Sequence, residues 1–308
     1  MASGRTARMN VGSTGASARG SRPVVVGVDQ SDSARDAAEW AADLAAACNA
    51  PLRLVHVGPG VPVGGSGPSS PPWLSELMRG TERAGADTDV VETAGAVVDV
   101  LAGQAAEARL LVLGSYGEGA WTGMLAGSVA RDLINRAACP VAVVRGAAPQ
   151  VPPPRSGPVV VGVDGSAASH AALMLAAELA ESLGVRLVAM HTWTDVVAGP
   201  HGGPRQRSED DATLAAEGGS LLDSELEFVA AAHPALPTER YLVEDTALRA
   251  LLDRAGAARL LVVGHQGHRE VDGLMLGSTS TRLVEFAPCP VLVVKPSGAR
   301  GPVGGTRD

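Results

Sequence analysis

Val24–Asp29 reads VVVGVD, and Val159–Asp164 reads VVVGVD again. A short continuous apolar run closed by a carboxylate fits a strand buried on both faces, as in a parallel sheet covered by helices. Two later stretches also return. LLVLG at Leu110–Gly114 is answered by LLVVG at Leu260–Gly264, and CPVAVV at Cys139–Val144 by CPVLVV at Cys289–Val294. The first pair is offset by 135 residues and the other two by 150, so the second copy carries 15 more residues in its middle. The chain is a duplicated domain.

Each copy alternates strand and helix. Ser31 and Ser166 stand where a helix cap is needed. After them Ala37, Ala41, Leu44, Ala45 and Cys48 recur at helical spacing, as do Leu173, Ala176, Ala177 and Ala180. Strands are predicted at 52–57 and 185–190. In the second copy a helix over Asp211–Ala232 and a strand over Arg240–Val243 follow, a region that the first copy compresses into Trp73–Val91. Each copy ends with a helix, the LLV strand, a Gly-rich loop, a helix and the CPV strand. Such alternation predicts an α/β fold: two tandem, open, five-stranded parallel sheets with right-handed crossovers.

With 308 residues, 45% of them hydrophobic and 19% charged, the chain has enough apolar surface for two cores. Domains are expected at 23–146 and 158–296, joined by a Pro-rich linker at 147–157. Residues 1–22 and 297–308 are expected to be disordered tails. The first of these has no apolar core of a secretory signal, and no run of about 18 apolar residues would span a membrane. Cys48, Cys139 and Cys289 form no C-x-x-C, which suits a reducing cytoplasm.

A net charge of −8 with no basic cluster argues against nucleic-acid binding. Lys295 is the only lysine, and its place in the last strand excludes P-loop, Schiff-base and kinase-type chemistry. The first strand is followed by GVDQS or GVDGS rather than G-x-G-x-x-G, so a dinucleotide oxidoreductase fits poorly.

Function is best read after the fourth strands. Gly114 and Gly117 are followed by nine residues and then Gly127-Ser128; Gly264 and Gly267 are followed by nine and then Gly277-Ser278. Glycines let backbone N–H groups approach an anion, and the helix opening at Gly127 or Gly277 adds free amides and a positive dipole end. In an open α/β sheet a ligand sits beyond the carboxyl ends of the strands, where Asp29 would meet Gly114 and Asp164 would meet Gly264. A carboxylate beside a phosphate loop suits a nucleoside phosphate. Read without a ligand, the same glycines are tight turns.

On these residues the chain resembles a tandem universal stress protein of the ATP-binding branch, marked by G-x-x-G-x9-G-(S/T). The resemblance covers nearly everything outside the tails. It implies strand order 3-2-1-4-5 and bound ATP, usually without robust catalysis, with any Mg²⁺ carried on the phosphates. It implies that Asp29 and Asp164 approach the adenine end, and that the backbone at Val57 and Thr192 touches the base. Gly27 and Gly162 would let the nucleotide lie close to strand one. Gly114, Ser115, Gly117, Gly127, Ser128 and Val129, and in the second copy Gly264, His265, Gly267, Gly277, Ser278 and Thr279, would line ribose and phosphates.

Family loops often carry a basic residue after the second glycine. Here the first copy has Glu118 and the second His268-Arg269, so the second site is expected to hold a triphosphate more tightly. A slow ATP-cleaving enzyme and a nucleotide-free interaction module are the rival readings. For the latter, the two CPV strands lie at sheet edges and are expected to pair across a pseudo-two-fold axis, with a homodimer through another surface also compatible. His265 and His268 lack a third metal ligand, and His56 and His191, repeating at offset 135, are expected to fill a strand end.

Overall fold

The computed structural model describes residues 22–58, 71–117, 127–148, 150–193, 209–267 and 276–296. The expected tails, Arg22 apart, lie outside these. The chain divides into two compact units between Pro153 and Pro154.

The first unit runs β1 (Val24–Val28), α1 (Asp32–Ala47), β2 (Leu52–Val57), α2 (Pro72–Arg83), β3 (Thr88–Thr93), α3 (Val97–Ala105), β4 (Leu110–Gly114), α4 (Ser128–Arg136) and β5 (Val141–Val144). Its strands are all parallel in the order β3-β2-β1-β4-β5. The second runs β6 (Val159–Gly162), α5 (Ala167–Ser182), β7 (Leu187–Thr192), α6 (Glu209–Ala232), β8 (Thr238–Val243), α7 (Ala247–Ala255), β9 (Leu260–Gly264), α8 (Ser278–Phe286) and β10 (Val291–Val294), in the order β8-β7-β6-β9-β10. Five strands in each, in the expected order, agree with the sequence.

In each unit the first two helices pack on one another and the last two do likewise, α1 on α2 and α3 on α4, then α5 on α6 and α7 on α8. The apolar runs lie between these layers: Val24, Val25 and Val26 are fully buried, as are Leu111 and Val112 of β4. Helix α1 lies on the sheet through Ala37, Ala38, Ala41, Ala42 and Ala45, all buried, whose short side chains let its backbone come close.

Several boundaries differ from the expected ones, α6 among them, which begins at Glu209 rather than Asp211. The second strand of unit 2 begins at Leu187 rather than 185, because Gly184 and Val185 donate back to Glu181 and Ala180 and finish α5 first. β8 begins two residues early, at Thr238, since it pairs along the whole of β7. Cys48, expected on the inner face of α1, is instead its half-buried C-cap. The 24-residue α6 is the counterpart of the 12-residue α2 in the duplication, which helps to account for the longer middle of the second copy.

None of the three cysteines forms a disulfide. Cys139 and Cys289, just before the last strands, are buried, and burial pushes the Cys289 thiol up to about 12, so it stays protonated. No helix among the described residues is long and apolar enough to cross a membrane.

Candidate functional site

β1 and β4 pair only over Val24–Val26 and Leu110–Val112, although β1 continues to Val28 and β4 to Gly114. In unit 2, β6 and β9 pair over Val159–Val161 and Leu260–Val262, and β9 continues to Gly264. The pairing stops short of the carboxyl ends, where the chain switches sides of the sheet and where an open α/β sheet offers a ligand crevice.

The acid of each first strand stands in this crevice. Asp29 Oδ1 accepts from the amide of Ser31 at 3.0 Å and its hydroxyl at 2.5 Å. Ser31 Oγ in turn accepts from Ala34 N at 3.1 Å and so caps α1, as expected. The other carboxylate oxygen is turned to the glycine loop: a Cβ on Gly117 would lie 2.8 Å from Asp29 Oδ2. The second unit repeats this. Asp164 Oδ1 accepts from Ser166 N at 3.0 Å, Ser166 caps α5, and a Cβ on Gly267 would lie 2.5 Å from Asp164 Oδ2. The acid therefore meets the second motif glycine, not the first.

Gly114 and Gly264 are required by packing. A Cβ on Gly114 would come 2.8 Å from the Ser33 carbonyl carbon and 2.5 Å from its Oγ; one on Gly264 would come 3.0 Å from backbone atoms of Ala168 and Ser169. The first turn of α1 or α5 therefore leaves no room for a side chain at these two positions. Gly27 and Gly162 are likewise filled from within: their missing side chains would meet Leu101 of α3 at 2.8 Å and Leu251 of α7 at 3.2 Å. They seat the helices on strand one.

The side chains of Ser115 and His265 also turn inward. Ser115 is 6% exposed and its Oγ lies 3.5 Å from Ser33 Oγ, which also accepts from the Ser115 and Tyr116 amides at 2.8 and 3.4 Å. Ser33 has no counterpart in the repeat, where Ala168 stands, so the sequence carried no signal for it. In unit 2 the loop is tied differently, by His265 N donating to Val294 O at 2.7 Å and by buried Ser280, whose hydroxyl donates to Gly264 O at 2.7 Å.

Burial, helped by the charge of Lys295, holds the His265 imidazole down to about 4. Its neutral form is favoured by folding, whereas in the unfolded chain it titrates near the ordinary 6.5. Above about pH 6.5 both states are neutral and the full stability is present. As pH falls towards 4 only the unfolded state takes up the proton, and stability is lost across that window. The urea midpoint of unit 2 is expected to fall between pH 6.5 and 4 in the wild type by more than in His265→Gln; identical pH profiles would refute this.

The helix starts complete the site. Gly127 and Gly277 cap α4 and α8 at φ −59°, ψ 158° and φ −58°, ψ 149°, with no side-chain cap. Ser31 and Ser166 hold almost the same backbone, φ −72°, ψ 151° and φ −74°, ψ 157°, and do cap their helices. Backbone conformation does not ask for glycine at 127 or 277, and among the described residues no atom comes closer than 3.4 Å to an added Cβ. Among the described residues, the nearest atom to an added Cβ is Ser115 O at 3.8 Å for Gly127, and His265 O at 3.4 Å for Gly277.

Each of these two amides donates to that carbonyl, at 3.0 and 2.8 Å, so the uncapped N–H groups belong to the following residues. Ser128 and Ser278 are exposed there, with Val129 and Thr279 half-buried beside them. Val57 and Thr192, both half-buried residues, end β2 and β7, next to Gly58 and Trp193, whose amides donate to Thr93 and Val243. Glu118, His268 and Arg269 lie outside the described residues. No group of three or more His, Cys, Asp or Glu side chains placed to hold a metal occurs among the described residues.

The sequence profile of the universal stress protein family matches residues 20–145 and 156–295. A universal stress protein of Mycobacterium tuberculosis strain H37Rv is 34% identical over 296 residues, spanning 89% of this chain and 97% of that protein. One from Mycolicibacterium smegmatis is 32% identical over 292 residues, spanning 89% and 97%. In structure, a universal stress protein from Archaeoglobus fulgidus covers 90% of this chain and 100% of its own with a TM-score of 0.64, at 18% identity a likeness of fold. The chain belongs to the universal stress protein family, as two tandem domains of it in one polypeptide.

Proposed function

We propose that each unit binds ATP in the crevice beyond its first and fourth strands, and that occupancy sets conformation or partner choice in a cytoplasmic stress response. The observation that carries the reading is the glycine cap. Gly127 and Gly277 adopt a backbone that serine adopts elsewhere in this chain, and neither packing nor φ requires glycine among the described residues. Leaving those helix ends bare keeps amides and dipole available to a phosphate. Asp29 and Asp164, with one oxygen held by a serine and the other turned to the loop, offer an acceptor to ribose or base.

The donor set fits a nucleotide triphosphate whose Mg²⁺ keeps its waters and rides on the phosphates. Backbone amides stabilise phosphate charge in any reaction, so slow hydrolysis is compatible with the site, but the reading is of a regulator rather than a robust catalyst. Within its own unit β5 ends the strand order, as does β10, and their mutual pairing is part of the proposal.

Denaturing the purified chain and identifying the nucleotide released is the direct test. The expected result is an adenine nucleotide approaching two per chain, with about one if the second site is the tighter. None, with none taken up from added ATP, would refute the reading in favour of an interaction module.

A further inference from the structure

His56 and His191 repeat at the same offset as the first strands and end in the same place. Each is the next-to-last residue of the second strand, and its ring Nδ1 lies on the last carbonyl before the acid. His56 Nδ1 is 3.2 Å from Val28 O, and His191 Nδ1 is 2.7 Å from Val163 O. A carbonyl oxygen only accepts, so Nδ1 carries the hydrogen in both rings. The peptide thus held is the one that leads into Asp29 or Asp164.

The far side of each ring is held by the helix after that strand, in two unlike ways. In unit 1 Trp73 of α2 meets the His56 ring edge to face, with centroids 5.1 Å apart at 87°. In unit 2 α6 brings bare backbone: a Cβ on Gly218 would lie 2.8 Å from His191 Cδ2 and 3.0 Å from Nε2. The supports differ while the ring and its bond persist. The shared feature is therefore the Nδ1–H to carbonyl bond rather than a way of filling space.

We propose that His56 and His191 are positioning residues for the carboxylates of the nucleotide site: each fixes the peptide that leads from the first strand into the acid, and through it the direction in which Asp29 or Asp164 enters the crevice. This rests on the nucleotide reading of the crevice given above. The role is expressed through the acid and involves no contact between the histidine and the ligand.

The test uses the full chain with ATP titrated calorimetrically. His56→Ala with His191→Ala is expected to weaken binding about 5- to 10-fold, the effect of one hydrogen bond to a positioning element. His56→Asn with His191→Asn places an amide N–H near the Nδ1 position and is expected to stay within about 3-fold of wild type. In a chain carrying Asp29→Ala and Asp164→Ala, the further change to alanine at the histidines should cost nothing more, since coupled groups are not additive. Long-range ¹H–¹⁵N spectra of the wild type should show both rings protonated at Nδ1.

A folded alanine variant with wild-type affinity would overturn the proposal, as would asparagine failing to rescue, an additive loss on the aspartate background, or Nε2–H tautomers. The spectra and the asparagine variant decide it even where the alanine variant does not fold. A wild type that binds no adenine nucleotide removes the site reading and this proposal together; one that binds while the alanine variant is unaffected removes this proposal alone.

Discussion

Gly114→Ala is expected to destabilise unit 1 by about 1–3 kcal/mol, the usual cost of forcing a methyl group into a packed interior. The atoms it would meet are those of Ser33, including backbone carbon at 2.8 Å and oxygen at 2.9 Å, and a helix turn cannot move aside as a side-chain tip can. Gly264→Ala meets Ala168 and Ser169 backbone at 3.0 Å and is expected to cost unit 2 somewhat less. Urea denaturation followed unit by unit measures both. Wild-type midpoints in the two variants would show that the α1 and α5 turns yield.

Gly127→Asp and Gly277→Asp should act the other way round. Their backbone matches that of the serine-capped helices, so the new carboxylate is expected to bond the uncapped amides and to stabilise α4 or α8 by roughly 0.5–1 kcal/mol. Those amides are the ones a phosphate would use. Binding of ATP at the altered unit is expected to fall about 10- to 100-fold, as a charge-assisted contact is lost and a negative charge stands in its place. Serine in place of aspartate should show the same direction with a smaller effect. Calorimetry with ATP beside urea denaturation of the same protein reads both quantities. Unchanged affinity in both aspartate variants would sink the glycine-cap argument. If the second site is the tighter, Gly277→Asp should remove the stronger class of binding.

The two pairs of variants separate the glycines that the fold needs from those that a ligand needs. In the sequence all four look alike, because spacing records that a side chain is missing and not what takes its place. Ser33 shows the same limit: it holds two amides of the first loop, yet Ala168 stands at the repeated position and nothing in the sequence marks it. The histidines show the converse. Their repetition was visible, but the carbonyl that each ring meets comes from the end of the first strand or the residue just past it, 28 residues away.

What the sequence by itself determined is the architecture. Duplicated apolar runs too continuous for a half-exposed sheet, alternating with helical spacing, require parallel strands covered on both faces, and the repeated carboxylate and glycines put the crevice at the strand ends. Local pattern suffices there because burial and periodicity are properties of the segment. Only the tertiary structure decided what each residue of the crevice faces. Gly27 and Gly162 went to Leu101 and Leu251, Ser115 and His265 turned inward, and Asp29 and Asp164 met Gly117 and Gly267 rather than Gly114 and Gly264. The physical reason is that close approach is fixed by how helix and strand pack across the sheet, between residues tens of positions apart.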